Sequence, residues 1–232
     1  MAVSCSHGQY ADLTSLDEVI RFKEAWKPDT TMHLGDALDF TALRGGALGT
    51  KDESASLEDD FSAGTQFLER LEPTHFFLGN HEDRVTRLIG HHNAITARAA
   101  SSVMGEISDL CRKLGARIIP YDNEQGWVQL GDTLFGHGYM FNQTAIRDHA
   151  ETFGKCVIGH LHKVGMESGR SRQKATGYCV GWLGRNQAAS YAKTNRSRLA
   201  WSNGFAWGEY SDNSTIVRLE EKHPTAGWRC AL

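Results

Sequence analysis

Five times along this 232-residue chain a short apolar run stops in a loop whose side chains can ligate a metal ion. Met1 to Ser4 gives way to Cys5-Ser6-His7-Gly8, Thr30 to Leu34 to Gly35-Asp36, and Thr74 to Leu78 to Gly79-Asn80-His81-Glu82-Asp83. Further on, Thr133 to Phe135 leads into Gly136-His137-Gly138, and Cys156 to Ile158 into Gly159-His160-Leu161-His162. A brief apolar run closed by glycine and polar residues reads as a buried strand. In α/β proteins the carboxyl ends of such strands line the crevice that holds ligands. The pattern therefore predicts strand ends converging on one rim, with imidazoles and a carboxylate gathered there.

Helical patterns separate the first strands. Ser15 with Glu18 forms an expected capping box ahead of an apolar face of Leu16, Val19 and Ile20, and Lys27-Pro28 ends that helix. Ala63, Phe67, Leu68 and Leu71 recur at helical spacing up to Pro73, and a longer helix is expected from Ala97 to Leu114 with Gly115 as its cap. After Arg117-Ile118-Ile119 the chain turns strand-rich: Trp127 to Leu130, Thr176 to Trp182, Phe205 to Trp207 and Thr215 to Leu219 join the runs above, with Gln143 to Phe153 as the clear helix among them. Helix alternating with strand points to an α/β fold, α+β in some schemes. The length suits one domain spanning 1–232, and no internal repeat is present. The acid-rich stretch near 45–60, with Asp52, Glu53, Glu58, Asp59 and Asp60, reads as a variable loop or a solvated helix start. Glu82-Asp83-Arg84 reads in the same way, against the alternative that Asp83 or Arg84 orients His81 or the substrate.

A net charge of -3 argues against coating by nucleic acid through bulk electrostatics. Locally the balance differs. From Lys163 to Arg198 the only acid is Glu167, among Lys163, Arg170, Arg172, Lys174, Arg185, Lys193, Arg196 and Arg198. The aromatics of this basic region near 163–207, Tyr178, Trp182, Tyr191, Trp201, Phe205 and Trp207, could stack bases, whereas alternating aromatics at Phe205 and Trp207 are equally what a sheet core contains. A nucleic acid is thus an alternative partner to a small phosphoester or nucleotide. Cys5, Cys111, Cys156, Cys179 and Cys230 form no CxxC pair and read as reduced thiols. With no secretory leader and no run of 18 apolar residues, a cytoplasmic protein without membrane contact is expected.

Gly35-Asp36-x-x-Asp39, Gly79-Asn80-His81-Glu82, Gly136-His137-Gly138 and Gly159-His160-Leu161-His162, in that order, resemble the motifs of the calcineurin-like metallophosphoesterase family. The resemblance covers residues 5–162. It implies a four-layer fold, two central mixed β-sheets packed face to face and flanked by helices, with two divalent ions about 3.5–4 Å apart at one rim. It also implies a ligand set. One ion would take His7, Asp36 and His162, the other Asn80, His137 and His160, with Asp36 bridging. His81 would face the phosphate as a catalytic residue without ligating. Asp39 would support the metal loop, although a helix-start acid accounts for it as well. The family opens with Asp-x-His where this chain has Cys5-Ser6-His7, so Cys5 is either a thiolate ligand favouring zinc or iron over manganese, or a small buried hydrophobe beside a weaker site. Manganese, zinc, iron and nickel all stay open as the metal.

The implied activity is hydrolysis of a phosphomonoester or phosphodiester by a hydroxide held between the ions, with His81 opposite the nucleophile. A nuclease or nucleic-acid-processing phosphodiesterase is one alternative. A catalytically weak protein that binds metal and phosphate, or one whose histidines only brace loops, is another.

Overall fold

The structure, a computed structural model, describes residues 1–44, 46–170, 174–185 and 200–230. Two mixed sheets form its centre. The first has six strands, β1 (Ala2–Val3), β2 (Met32–His33), β3 (His75–Phe77), β4 (Arg117–Ile119), β10 (Gly204–Ser211) and β11 (Ser214–Glu221), in the order β11-β10-β1-β2-β3-β4. The second has five, β5 (Trp127–Leu130), β6 (Thr133–Gly136), β7 (Cys156–Ile158), β8 (Val164–Ser168) and β9 (Thr176–Val180), in the order β5-β6-β7-β9-β8. β1, β2, β3 and β4 run parallel, as do β6, β7 and β9, while the hairpins β5–β6, β8–β9 and β10–β11 are antiparallel. β8 is the one strand that the sequence pattern did not anticipate. Its burial alternates weakly, and Gly165 and Glu167 break the apolar run.

Alternation along the strands explains the layers. Ala2, Met32, Leu34, Phe77 and Ile119 from the first sheet meet Val128, Phe135, Val157 and Val180 from the second, and this is the core between the sheets. Val3, Phe76 and Phe205 point the other way, into helices α1 (Leu13–Trp26), α2 (Leu57–Leu71), α3 (Asn80–Leu88) and α4 (Ala94–Leu114). On the outer face of the second sheet, Ile146 of α5 (Ala145–Phe153) packs on Cys156, Ile158 and Cys179. Helices, sheet, sheet and helix make four layers. Among the described residues no helix is long and apolar enough to cross a membrane.

Helix ends follow local chemistry, with one correction. The N-cap of α1 is Asp12, whose carboxylate accepts from the Thr14 and Ser15 amides, so the helix starts before the expected Ser15–Glu18 box. Ser15 lies buried in the helix, and Glu18 pairs with Arg21 instead. Asp carries a full charge into the positive helix end, which favours it as the cap. Lys27 and Gly115 end α1 and α4 in the left-handed region, as the sequence predicts.

The acid-rich stretch is not uniformly solvated. Glu58 and Asp59 are exposed, but Asp60 is 1% exposed and accepts from the Asp39 amide at 3.0 Å and the Phe40 amide at 2.8 Å. Asp52 is buried too, against Arg44 at 2.6 Å. Helical periodicity cannot reveal this, because the partners of Asp60 are main-chain groups of a loop about twenty residues away. Asp60→Ala leaves two buried amides unpaired and should lower unfolding stability by about 1–3 kcal/mol. Asp59→Ala should change it by less than about 1 kcal/mol, both read by denaturant titration.

Candidate metal centre

Because β1, β2, β3, β6 and β7 all run parallel within their sheets, the loops that follow them open on a common rim. Cys5 and His7 follow β1, Asp36 follows β2, Asn80 and His81 begin α3 just past β3, His137 follows β6, and His160 and His162 follow β7. Their donor atoms form two clusters: Cys5, His7, Asp36 and His162 in one, Asp36, His137 and His160 in the other, with the atoms of each cluster within 4.8 Å of one another. Asp36 belongs to both. Asn80 completes the second, its Oδ1 lying 3.1 Å from His137 Nε2 and 2.9 Å from His160 Nδ1. His160 and His162 serve different clusters because each takes a left-handed conformation, with φ of 64° and 57°.

The backbone is bent hard to achieve this. Of nine non-glycine residues with positive φ among the described residues, five are Cys5, His7, Asp36, His160 and His162. Each such conformation costs on the order of 1 kcal/mol and persists only where surrounding structure enforces it. Part of that enforcement is close approach. A Cβ on Gly79 would lie 2.1 Å from Asp36 Oδ1, and one on Gly35 would lie 2.7 Å from both the Gly79 amide and His137 Nδ1.

The second cluster contains a contact that a neutral imidazole and an ionised carboxylate cannot satisfy. His137 Nδ1 lies 2.7 Å from the Leu34 carbonyl, which fixes a proton on that nitrogen, so Nε2 turns a lone pair towards Asn80 Oδ1 and towards Asp36 Oδ2 at 3.3 Å. Acceptors facing one another need a cation between them, either an extra proton on the imidazole or a metal ion. In the first cluster His7 Nδ1 is committed to Asp39 Oδ1 at 2.8 Å, and its Nε2 faces His162 Nε2 at 3.0 Å, a contact that a proton on His162 Nε2 satisfies. The donor sets fit a pair of divalent ions, one per cluster. Two carboxylate-anchored or carbonyl-anchored imidazoles and a shared carboxylate are the donors such sites use.

The electrostatics agree. Burial works against charge on His7, but Asp39, followed by Asp36 and Glu82, outweighs it and raises the pKa. Burial is likewise overcome at His137 by Asp36 and the Leu34 carbonyl. The remaining imidazoles go the other way. Burial holds His160 near 3 and His81 near 4, and it lowers His162. Asp36 is stripped of water, yet His137, His81 and His7 hold its carboxylate below the usual range.

His81 is a ligand atom of neither of those two clusters, although it forms an overlapping group with His7 and Asp39. In that group Asp39 is already bound to His7 and to the Thr41 hydroxyl. His81 Nδ1 donates to the Asp39 carbonyl at 2.7 Å, and Nε2 lies 3.8 Å from Asp36 Oδ2. Arg84 donates to the same carbonyl at 3.3 Å. Asp83 does not reach His81; its carboxylate pairs with Arg87 at 2.6 Å.

Cys5 is fully buried, and burial together with the Asp36 charge raises its thiol pKa. Its Sγ accepts from the His160 amide at 3.3 Å and lies 3.2 Å from Ser4 Oγ. Both contacts suit a sulfur that carries negative charge. The five cysteines form no disulfide.

Glu82 corrects the expectation of a solvated helix start. It is fully buried and accepts from the amides of Gly79 at 2.8 Å, Asp36 at 3.0 Å and Leu38 at 3.0 Å. Burial and then the Asp36 charge push its carboxyl up to about 7, while the Leu38 and Gly79 amides oppose the shift. It ties the Asp36 loop to the start of α3. His33 does the same on the other side, between Ser6 Oγ at 3.1 Å and the Gly35 amide at 3.3 Å. The Gly79-Asn80-His81-Glu82 motif contains Glu82, but nothing in its spacing says the carboxylate faces inward.

Of the basic stretch, Arg172, Lys193, Arg196 and Arg198, with Tyr191, lie outside the described residues. Lys163 pairs with Glu167 at 3.7 Å, and Arg185 donates to the Gln9 carbonyl at 2.8 Å. Trp182 and Phe205 are buried at 2% and 0% exposure and offer no open face for a base. The sheet-core reading holds for Phe205, with Trp207 packed against the same cluster.

Paired histidine-rich clusters around one carboxylate, at the rim of a double sheet, define a metal-binding phosphoesterase fold. The calcineurin-like phosphoesterase family model matches residues 1–164, and the chain belongs to that family. It is 26% identical over 229 residues to the gene 54 protein of Mycobacterium phage L5, covering 89% of this chain and 86% of that protein. Among solved structures it is similar to a metallophosphoesterase from Sphaerobacter thermophilus, with 17% identity, TM-score 0.47 and coverage of 98% and 88% of the two chains. It is also similar to Yfce, a phosphoesterase from E. coli, with 16% identity, TM-score 0.42 and coverage of 93% and 95%.

Because ligation needs unprotonated donors, ion binding should release protons. His7 and His137 have raised pKa values, so ion affinity should climb as pH rises through them and level off above. Above those pKa values Cys5→Ser should release about one proton fewer than the native chain if the Cys5 thiol ionises on binding. Calorimetry in buffers of different ionisation enthalpy reads the count.

Proposed function

We propose that the chain hydrolyses phosphate esters with two divalent ions, held by Cys5, His7, Asp36 and His162 on one side and by Asp36, Asn80, His137 and His160 on the other. The observation that carries the reading is the single carboxylate of Asp36 common to both clusters, with His81 beside it. A shared carboxylate lowers the repulsion between two cations, and the neutral imidazoles leave net positive charge to attract a phosphoryl group. Divalent ions in such a pair polarise phosphoryl oxygens and lower the pKa of water enough to supply a nucleophile at neutral pH.

The chain's own residues orient and move the proton. His81 keeps one proton on Nδ1 through the Asp39 carbonyl, so Nε2 is the atom left for chemistry. Burial holds this imidazole neutral at pH 7. An entering phosphate anion raises the pKa of a neighbouring imidazole, so Nε2 takes up a proton with the substrate and returns it to the leaving oxygen. Asp39 holds His7, and Arg84 reinforces the carbonyl that orients His81.

A small phosphoester or nucleotide is favoured over a nucleic acid. Trp182 and Phe205 are enclosed, which removes two of the aromatics that would have stacked bases.

The test is metal-dependent hydrolysis of generic aryl phosphomonoesters and phosphodiesters by stripped protein reconstituted with manganese, zinc, iron or nickel. Asp36→Ala should lose bound metal and activity together. His81→Ala should keep both ions and lose about 100-fold or more in kcat. No metal-dependent turnover with any of the four would end the reading. Cys5→Asp exchanges a soft donor for a hard one and should raise manganese-supported turnover relative to zinc. Cobalt loading should give a thiolate charge-transfer band in the native chain and none in Cys5→Asp.

A further inference from the structure

The imidazoles of the first cluster differ in what holds the nitrogen that faces away from the ion. For His7 it is Asp39. His162 has no counterpart: its Nδ1 is buried and has no hydrogen-bond partner among the described residues. A metal-ligating histidine ordinarily anchors its ring through that second nitrogen. At His162 aromatic rings stand in the same place. Trp182 stacks on it with ring centroids 4.8 Å apart and planes 11° from parallel, and Trp201 meets it edge-on at 4.6 Å. The two indoles contact each other at 4.9 Å and 61°, closing the slot.

Backbone bonds hold the slot to its histidine. The Ser202 amide donates to the His162 carbonyl at 2.8 Å, and the Trp182 amide donates to the Ser202 carbonyl at 3.2 Å. Trp182 is itself pinned, since a Cβ on Gly184 would lie 2.3 Å from its ring. It also meets His7 edge-on, with centroids 6.0 Å apart.

We infer that Trp182 and Trp201 are positioning residues for the ion at the Cys5, His7, Asp36 and His162 cluster, fixing the plane of the His162 ring by stacking where a hydrogen bond would otherwise fix it. A ring held between flat and edge-on neighbours cannot swing about Cβ–Cγ, so Nε2 stays aimed at His7 Nε2. The second cluster has a different support, the Leu34 carbonyl on His137, and does not depend on the slot. This inference rests on the two-ion reading above.

Stripped protein is titrated with cobalt in competition with a chelating dye, which reports how many ions bind and how tightly. The native chain should take up two. Trp182→Leu should weaken one of them by about 10–100-fold, the range seen when the support of a metal ligand is removed, and leave the other unchanged. Trp182→Phe keeps a stacking face and should restore most of the loss. Native-like binding of both ions by Trp182→Leu would overturn the inference, as would equal weakening of both, which marks a general structural role. Should Trp182→Leu not fold, Trp201→Leu at the half-buried edge of the slot undergoes the same titration with the same outcomes decisive. A native chain that binds fewer than two ions ends the two-ion reading itself, and that result is seen before any variant is compared.

Discussion

The Asp36 carboxylate is the interaction on which the rest of the rim depends. It is buried from water, yet it is surrounded by His137, His81 and His7, and its Oδ1 accepts the His81 amide at 2.9 Å. A buried anion is costly unless it is paired and hydrogen-bonded. Two of these pairing groups, His137 and His7, also belong to the donor clusters, so the stabilisation of the fold and the assembly of the candidate centre use the same contacts. Against burial, Asp39 and Asp36 raise the pKa of His7, and Asp36 raises that of His137.

Around that carboxylate runs a frame of buried polar side chains that bond to main chain. Glu82 gathers amides from two loops, Asp60 holds the backbone of Asp39 and Phe40, and His33 bridges the loops after β1 and β2. His149 performs a similar service on the second sheet, spanning the Ala145 carbonyl and the Tyr139 amide and so tying α5 to the loop that carries His137. Loops are normally the mobile part of a domain. These are fastened from beneath, which suits a centre whose ligands must hold position to within a few tenths of an ångström.

Much of this was legible in the sequence, and the reason is geometric. Strands of a parallel sheet end on one side, so an apolar run followed by glycine and a donor residue announces both the strand and the place where its donor goes. That logic places Asp36, Asn80, His137, His160 and His162 on the rim from the sequence alone. It failed for Glu82 and Asp60, because a charged residue in the first turn of a helix looks the same whether it faces solvent or the amides of a distant loop. It failed for the cap of α1 because two acceptable caps, Asp12 and Ser15, lie a turn apart. Trp182 reads in the sequence as a candidate face for a base, whereas its burial and its stacked contact with His162 put it in the interior beside the donor cluster.

The left-handed backbone at Cys5, His7, Asp36, His160 and His162 sets two demands against each other. Glycine occupies that region freely, yet glycine at His7 would strip the buried Asp39 carboxylate of its imidazole partner, and an unpaired buried charge costs more than one strained peptide unit. At that residue the ease of the chain and the neutrality of the rim pull in opposite directions, and neutrality weighs more.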